Sequence, residues 1–188
     1  MVLKKSDKNI IKNITENLKN NGVAIMPCDT IYGIVSIPGP AELRIREIKG
    51  REENKPFIKL ISSPDYIKSI SRGILDNRIL SLWPGPLTVI IEAGNGGTEA
   101  LRVPQDSFLL EILSLLGKPL VSTSVNRSGN PAMNNISEII KNFEKSVDLI
   151  IDGGDMRESV PSTIVDLTTK PYRIIRQGKC VVPAEFLV

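Results

Sequence analysis

The residues best able to do chemistry in this chain are hydroxyls, amides and cations rather than acid–base pairs. Between Pro119 and Pro131 the chain reads PLVSTSVNRSGNP. An apolar strand pattern over Pro119 to Val121 stops there, and Ser122, Thr123, Ser124, Asn126, Ser128, Gly129 and Asn130 follow. Hydroxyls, an amide and a flexible backbone together suit the gripping of an anion. The competing reading is an ordinary strand-to-helix loop whose Ser and Asn side chains bond their own backbone. Upstream, Lys49, Arg51 and Lys55 put three cations within seven residues, with Gly50 and Pro56 shaping the backbone around them. Such a run is usually a solvated face, and Glu52 and Glu53 are at hand as partners. An Arg in a helix-to-strand loop also suits bidentate binding of phosphate or carboxylate, with Lys as a point charge. Asp29, Thr30 and Tyr32 can cap a turn, or they can hold a small polar substrate at a strand end, where ligands of open α/β sheets sit. Arg102 rides on a short strand. Ser162 and Arg176 read either as edge polarity and a surface charge or as further contacts.

Periodicity supplies the elements that must position these groups. Apolar residues at Ile10, Ile11, Ile14 and Leu18 predict a helix over Ser6 to Asn21, N-capped by Ser6 or Asp7 and closed by Gly22. Further helix patterns cover Pro40 to Ile48, Pro64 to Ile70, Ile74 to Trp83, Asp106 to Leu116 and Ser137 to Phe143. Strand patterns cover Val23 to Met26, Ile34 to Ile37, Phe57 to Ile61, Leu87 to Ile91 and Ala100 to Val103. Three more follow at Val147 to Asp152, Thr163 to Leu167 and Tyr172 to Arg176. Helices and strands alternate early while strands crowd late, which predicts a three-layer α/β domain on a mixed rather than purely parallel sheet.

Composition bounds the chemistry. At 188 residues the chain fits one domain, expected over 1–188, with no repeat or linker. Histidine is absent, which excludes a His-based dyad or triad and the usual His-containing metal sites. Aromatic residues make up only 4%, few for the stacking platforms that readers of single-stranded nucleic acid use. A net charge of +3 suits an anionic ligand but falls short of the basic tracts of dedicated nucleic-acid binders. Cys28 and Cys180 lie far apart without a pairing pattern, pointing to a reducing, cytoplasmic setting. No apolar run approaches the roughly 18 residues that span a bilayer, so no membrane partner is expected. Walker-type phosphate loops, dinucleotide glycine fingerprints and nucleophile elbows are missing.

Taken in order, the motifs resemble the YrdC/TsaC family of threonylcarbamoyl-adenylate synthases. They run PCDTIYGI from Pro27, KGREENKP from Lys49, WPGPLTVII from Trp83, LRVP from Leu101, STSVNRSGNPA from Ser122, PSTIVD from Pro161 and IIRQG from Ile174. The resemblance implies a twisted open α/β mixed sheet with helices packed on it and a basic concave cavity. It also implies a nucleotidyltransferase that makes threonylcarbamoyl-AMP and pyrophosphate from L-threonine, bicarbonate or CO2, and ATP, for tRNA threonylcarbamoyladenosine modification by a downstream transferase complex. Carried over by position, it assigns Lys49, Arg51, Ser124 and Asn126 to catalysis and Thr30, Arg102 and Ser162 to threonine. ATP would contact Arg51, Lys55, Ser122, Ser124, Asn126 and Arg176. Mg²⁺ would arrive with ATP, without a metal site held by the protein, and Gly50 to Pro56 would close over the reaction. Cys28 departs from the family's usual threonine and is expected to pack rather than react. Ending at Val188, the chain matches the short form lacking an additional C-terminal domain. Two readings of other classes stay open: a double-stranded-RNA-binding or ribosome-maturation factor using the same cavity, and a carbamoyl-transfer module of the hydrogenase-maturation type. Whether tRNA or double-stranded RNA contacts the synthase itself is a separate open question.

Overall fold

The computed structural model describes residues 1–52, 56–71 and 76–187. Among these, ten strands form one mixed sheet: β1 (Val2–Lys4), β2 (Ala24–Cys28), β3 (Ile31–Ser36), β4 (Ile58–Leu60), β5 (Leu87–Glu92), β6 (Thr98–Arg102), β7 (Leu120–Ser124), β8 (Leu149–Asp152), β9 (Thr163–Asp166) and β10 (Arg173–Arg176). Their spatial order is β1-β8-β2-β3-β7-β4-β6-β5-β9-β10. The helices are α1 (Ile10–Lys19), α2 (Pro40–Lys49), α3 (Ile67–Ile70), α4 (Asn77–Leu80), α5 (Ser107–Leu116) and α6 (Ile136–Phe143).

Strand alternation explains why helices lie on both faces. In β2, Ala24, Met26 and Cys28 join a core with α1 and α5, while Ile25 turns to a second core with α2 and α6. β8 repeats the pattern, with Leu149 and Ile151 on the first side and Ile150 on the other. Both faces therefore need apolar residues, which is why these strands read as continuous apolar runs. A third core fills the β5, β6 and β9 end around Trp83 and Phe186. On α5, Leu109, Ile112, Leu113 and Leu116 are buried, each stabilising by about 1.5–3 kcal/mol. That outweighs the ~1 kcal/mol from its N-cap, where Asp106 accepts the Leu109 amide at 3.0 Å.

Several boundaries differ from the expectation. β1 is a strand the pattern did not reveal; it pairs parallel with β8 and is too short for alternation to register. α1 begins at Ile10 because the Asp7 carboxylate accepts the Lys4 amide at 2.8 Å instead of capping the helix. Pro64 to Ile70 divides into a 3-10 turn and α3. The Ile74 to Trp83 helix is described only as Asn77–Leu80, since Ile74 and Leu75 lie outside the described residues. Most consequential for the site, the strand expected to stop at Val121 continues to Ser124. β7 is hemmed by β3 on one side and β4 on the other, so Ser122 has strand partners at both Val35 and Ile58. Backbone pairing on two sides overrides the low strand preference of serine. No helix among the described residues is long and apolar enough to cross a membrane.

Candidate active site

The end of β7 delivers Ser122 and Ser124 to the same face of the sheet. They line a cavity of about 220 Å³ with Thr30, Arg51, Arg102, Ser162 and Arg176. Seven of the residues singled out in the sequence thus converge, although they come from six separate stretches of chain. Gly33, opposite Ser124 on β3, keeps the floor open, because a Cβ there would meet the Cys28 Sγ at 2.7 Å and the Ser122 Oγ at 3.0 Å. Cys28 packs as expected: its thiol is buried in the floor, and that burial pushes its pKa up to about 12.

Lys49 and Asn126 do not line the cavity; they hold the chain that does. α2 ends on Gly50, whose left-handed φ of 61° turns the chain away. The Lys49 ammonium points back into the protein and is 2% exposed. Its Nζ donates to the Ser124 carbonyl at 2.6 Å, the Asn126 carbonyl at 3.0 Å and Asn126 Oδ1 at 2.5 Å. Those are all three donors of an ammonium. Asn126 Oδ1 also accepts the Ser124 hydroxyl at 2.8 Å. In return the Ser128 amide donates to the Lys49 carbonyl at 2.8 Å, and the Arg127 guanidinium donates to the Ile48 carbonyl. Burial, with a smaller push from Arg51, lowers the Lys49 pKa to about 8.

Arg51 does face the cavity. Its guanidinium donates to the Pro56 carbonyl at 3.0 Å and lies 5.0 Å from the Phe57 ring centre, while Arg46 covers the same ring at 4.6 Å. Phe57 thereby spaces two cations and helps aim Arg51. Burial, then the Arg46 charge, lowers the Arg51 pKa. Lys55 lies outside the described residues, as does the middle of the Gly50 to Pro56 segment.

At the other end, the tight β2–β3 turn places Asp29 at a φ of 43°, a left-handed conformation that Asp tolerates better than most residues. Arg102, the last residue of β6, donates to Thr30 Oγ1 at 3.0 Å, and its Nη2 lies 2.8 Å from Asp29 Oδ1. That ion pair is close but not aligned as a hydrogen bond, which leaves Asp29 Oδ1 buried without a hydrogen-bond partner; Arg102 Nε is also buried and unpartnered. Burial raises the Asp29 pKa, and Arg102 opposes the rise. Arg176 donates from Nε to the Ser162 carbonyl at 3.0 Å and from Nη2 to the Ser162 hydroxyl at 3.1 Å. Its own pKa is lowered by burial and by the charge of Arg102. Two guanidinium groups held close enough to repel put positive charge at this end of the cavity, a chemistry that suits an anion such as a carboxylate.

Sequence reasoning missed Thr88. It is a hydroxyl inside the apolar run of β5, fully buried, with the Ser162 hydroxyl 2.9 Å away. The available signal was that one polar residue in an otherwise apolar strand needs a partner. The role of Phe57 was also invisible, because it depends on two arginines that meet only after folding.

The Sua5/YciO/YrdC family model, described as "Telomere recombination", matches residues 16–178. A threonylcarbamoyl-AMP synthase of Pyrococcus abyssi is 29% identical over 175 residues, covering 86% of this chain and 52% of that protein. The chain thus spans about half the length of that relative. A threonylcarbamoyl-AMP synthase of Klebsiella pneumoniae is 31% identical over 177 residues, covering 86% of this chain and 92% of its own. Among solved structures, P. abyssi Sua5 complexed with L-threonine superposes with a TM-score of 0.84 at 26% identity, over 95% of this chain and 57% of that one.

Proposed function

The chain belongs to the Sua5/YciO/YrdC family, and from that premise we propose that it is an L-threonylcarbamoyladenylate synthase, residues 1–188 acting as one catalytic unit. The observation that carries the reading is the convergence on one cavity of Arg102, Arg176, Thr30 and Ser162 at one end and Arg51, Ser122 and Ser124 along its side. The P. abyssi relative is complexed with L-threonine, and the first group fits that amino acid, its carboxylate meeting the guanidinium groups of Arg102 and Arg176. The second group fits the phosphates of ATP. The threonine amine adds to carbon dioxide, or to bicarbonate with loss of water, giving a carbamate. A carbamate oxygen then attacks the α-phosphorus, forming a P–O bond as the bond to the departing pyrophosphate breaks. Such a transfer gains most from alignment and from cations on the phosphate oxygens. Arg51 supplies charge, the β7 hydroxyls orient the phosphate, and Lys49 with Asn126 keeps them in place.

Mg²⁺ would enter on the triphosphate. Among the described residues no three His, Cys, Asp or Glu side chains gather to hold a metal, and Asp29 is committed to Arg102 and to the Gln105 amide. The product is unstable in chemical type, a mixed anhydride, so a cytoplasmic transferase that moves the threonylcarbamoyl group to tRNA is the consumer that this reading requires. The RNA-binding reading gains no support from these relatives.

The test is pyrophosphate release measured with each substrate omitted in turn. Release should require L-threonine, bicarbonate and ATP together, and Arg51→Ala should lower the rate at least about tenfold, or roughly 1.4 kcal/mol. Release that persists without threonine, or an undiminished Arg51→Ala rate, would reject the assignment.

A further inference from the structure

Thr88 sits in the middle of β5, which pairs with β6 on one side and β9 on the other. Its neighbours Leu87 and Val89 belong to the apolar core, and Thr88 itself is 0% exposed. A hydroxyl in such a place is costly unless it is hydrogen-bonded. Among the described residues its side chain has one partner, the Ser162 Oγ at 2.9 Å. Ser162 is buried yet lines the cavity, and it also faces Arg176 Nη2 at 3.1 Å.

Proton accounting fixes the direction of this chain of contacts. A serine hydroxyl has one proton and two lone pairs, and a guanidinium can only donate. Arg176 therefore occupies one Ser162 lone pair. If Ser162 gave its proton to Thr88, the Thr88 proton would be buried with no other side-chain acceptor among the described residues. If Thr88 donates instead, it fills the second Ser162 lone pair. The Thr88 proton and both Ser162 lone pairs are then satisfied, and the Ser162 proton is left free for the cavity.

We propose that Thr88 is a positioning residue that, together with Arg176, holds Ser162 as an obligate hydrogen-bond donor toward an acceptor oxygen of the bound amino acid. The inference rests on the threonine-binding reading above and extends it to a residue that touches no substrate. A site so wired accepts an oxygen at that point and disfavours a donor group, which makes Thr88 a determinant of amino-acid selectivity as well as affinity.

The experiment is calorimetric titration of the full chain with L-threonine, and separately with ATP, using wild type, Thr88→Val, Thr88→Ala, Thr88→Ser, Ser162→Ala and the double variant Thr88→Val/Ser162→Ala. Thermal unfolding establishes that each is folded; should Thr88→Val not fold, Thr88→Ala carries the same arm, alone and with Ser162→Ala. The expected result is threonine binding weakened about fivefold in Thr88→Val with ATP binding unchanged, recovery in Thr88→Ser, and no further loss when Thr88→Val is added to Ser162→Ala. Equal weakening of threonine and ATP, or a full Thr88→Val effect that persists without the Ser162 hydroxyl, would mean that Thr88 only supports the fold and would overturn the proposal. Wild-type affinity in Thr88→Val would do the same. A wild-type chain that binds ATP but no threonine would instead bring down the functional reading, and this inference with it.

Discussion

A buried lysine whose three protons all meet oxygens of one short loop acts first as a fastener. Lys49 holds Ser124 and Asn126 by their carbonyls and by the Asn126 side chain, so removing it strands acceptors as well as deleting a charge. Lys49→Met should therefore lower the rate of pyrophosphate release at least about tenfold. Because burial lowers its pKa from 10.5 to about 8, the wild type itself begins to lose the ammonium as pH passes about 8. The ratio of the Lys49→Met rate to the wild-type rate should then climb toward one, and a ratio flat with pH would exclude this role. Stability carries the opposite sign from an ordinary lysine ion pair. The folded-state pKa lies below the unfolded one, so between about 8 and 10.5 the unfolded chain binds more protons. The Lys49 contribution to stability should accordingly rise across that window, having been unfavourable below it. Denaturant titrations of wild type and Lys49→Met across this range measure the difference.

Elements rather than single residues decided what could be read from the sequence. α5 was legible almost to the residue, since Asp106 caps it and Gly117 closes it at a φ of 61°. A Cβ at Gly117 would meet nothing within 4 Å, so Gly117→Ala isolates the backbone cost of the left-handed conformation. It should destabilise by about 1 kcal/mol, lowering the melting temperature about 2–4 °C. An unchanged melting temperature would mean that the turn relaxes without cost. β7 was only half legible: its apolar start was clear, but serine and threonine hide the strand that β3 and β4 impose on them. The anion-gripping loop of the sequence is consequently a strand end plus a loop, and the strand is what aims the two serines. Lys49 shows the other limit. Its place in a basic run was visible, but its orientation away from solvent depends on Gly50 and on a loop some seventy positions later in the chain.

For the whole molecule, order in the sheet explains how distant motifs meet. β4 is inserted between β7 and β6, so Phe57 to Ile61 brings the end of the Arg51 segment between the strand carrying Ser122 and the strand carrying Arg102. β5 and β9 lie next to each other, which sets Thr88 against Ser162. The alternation of helix and strand patterns gave the mixed sheet but not this order, because strand neighbours are chosen by the packing of both faces together. One consequence concerns the medium in which the protein is handled. Among the described residues, the cavity wall includes Arg51, Arg102 and Arg176 and no carboxylate, so it should act as a small ion exchanger and take up buffer anions when substrate is scarce. Raising sulfate at constant ionic strength, with chloride as the balancing salt, should raise the apparent KM for ATP while the maximal rate stays constant. Equal KM values in the two salts would mean that the three arginines respond to general screening alone.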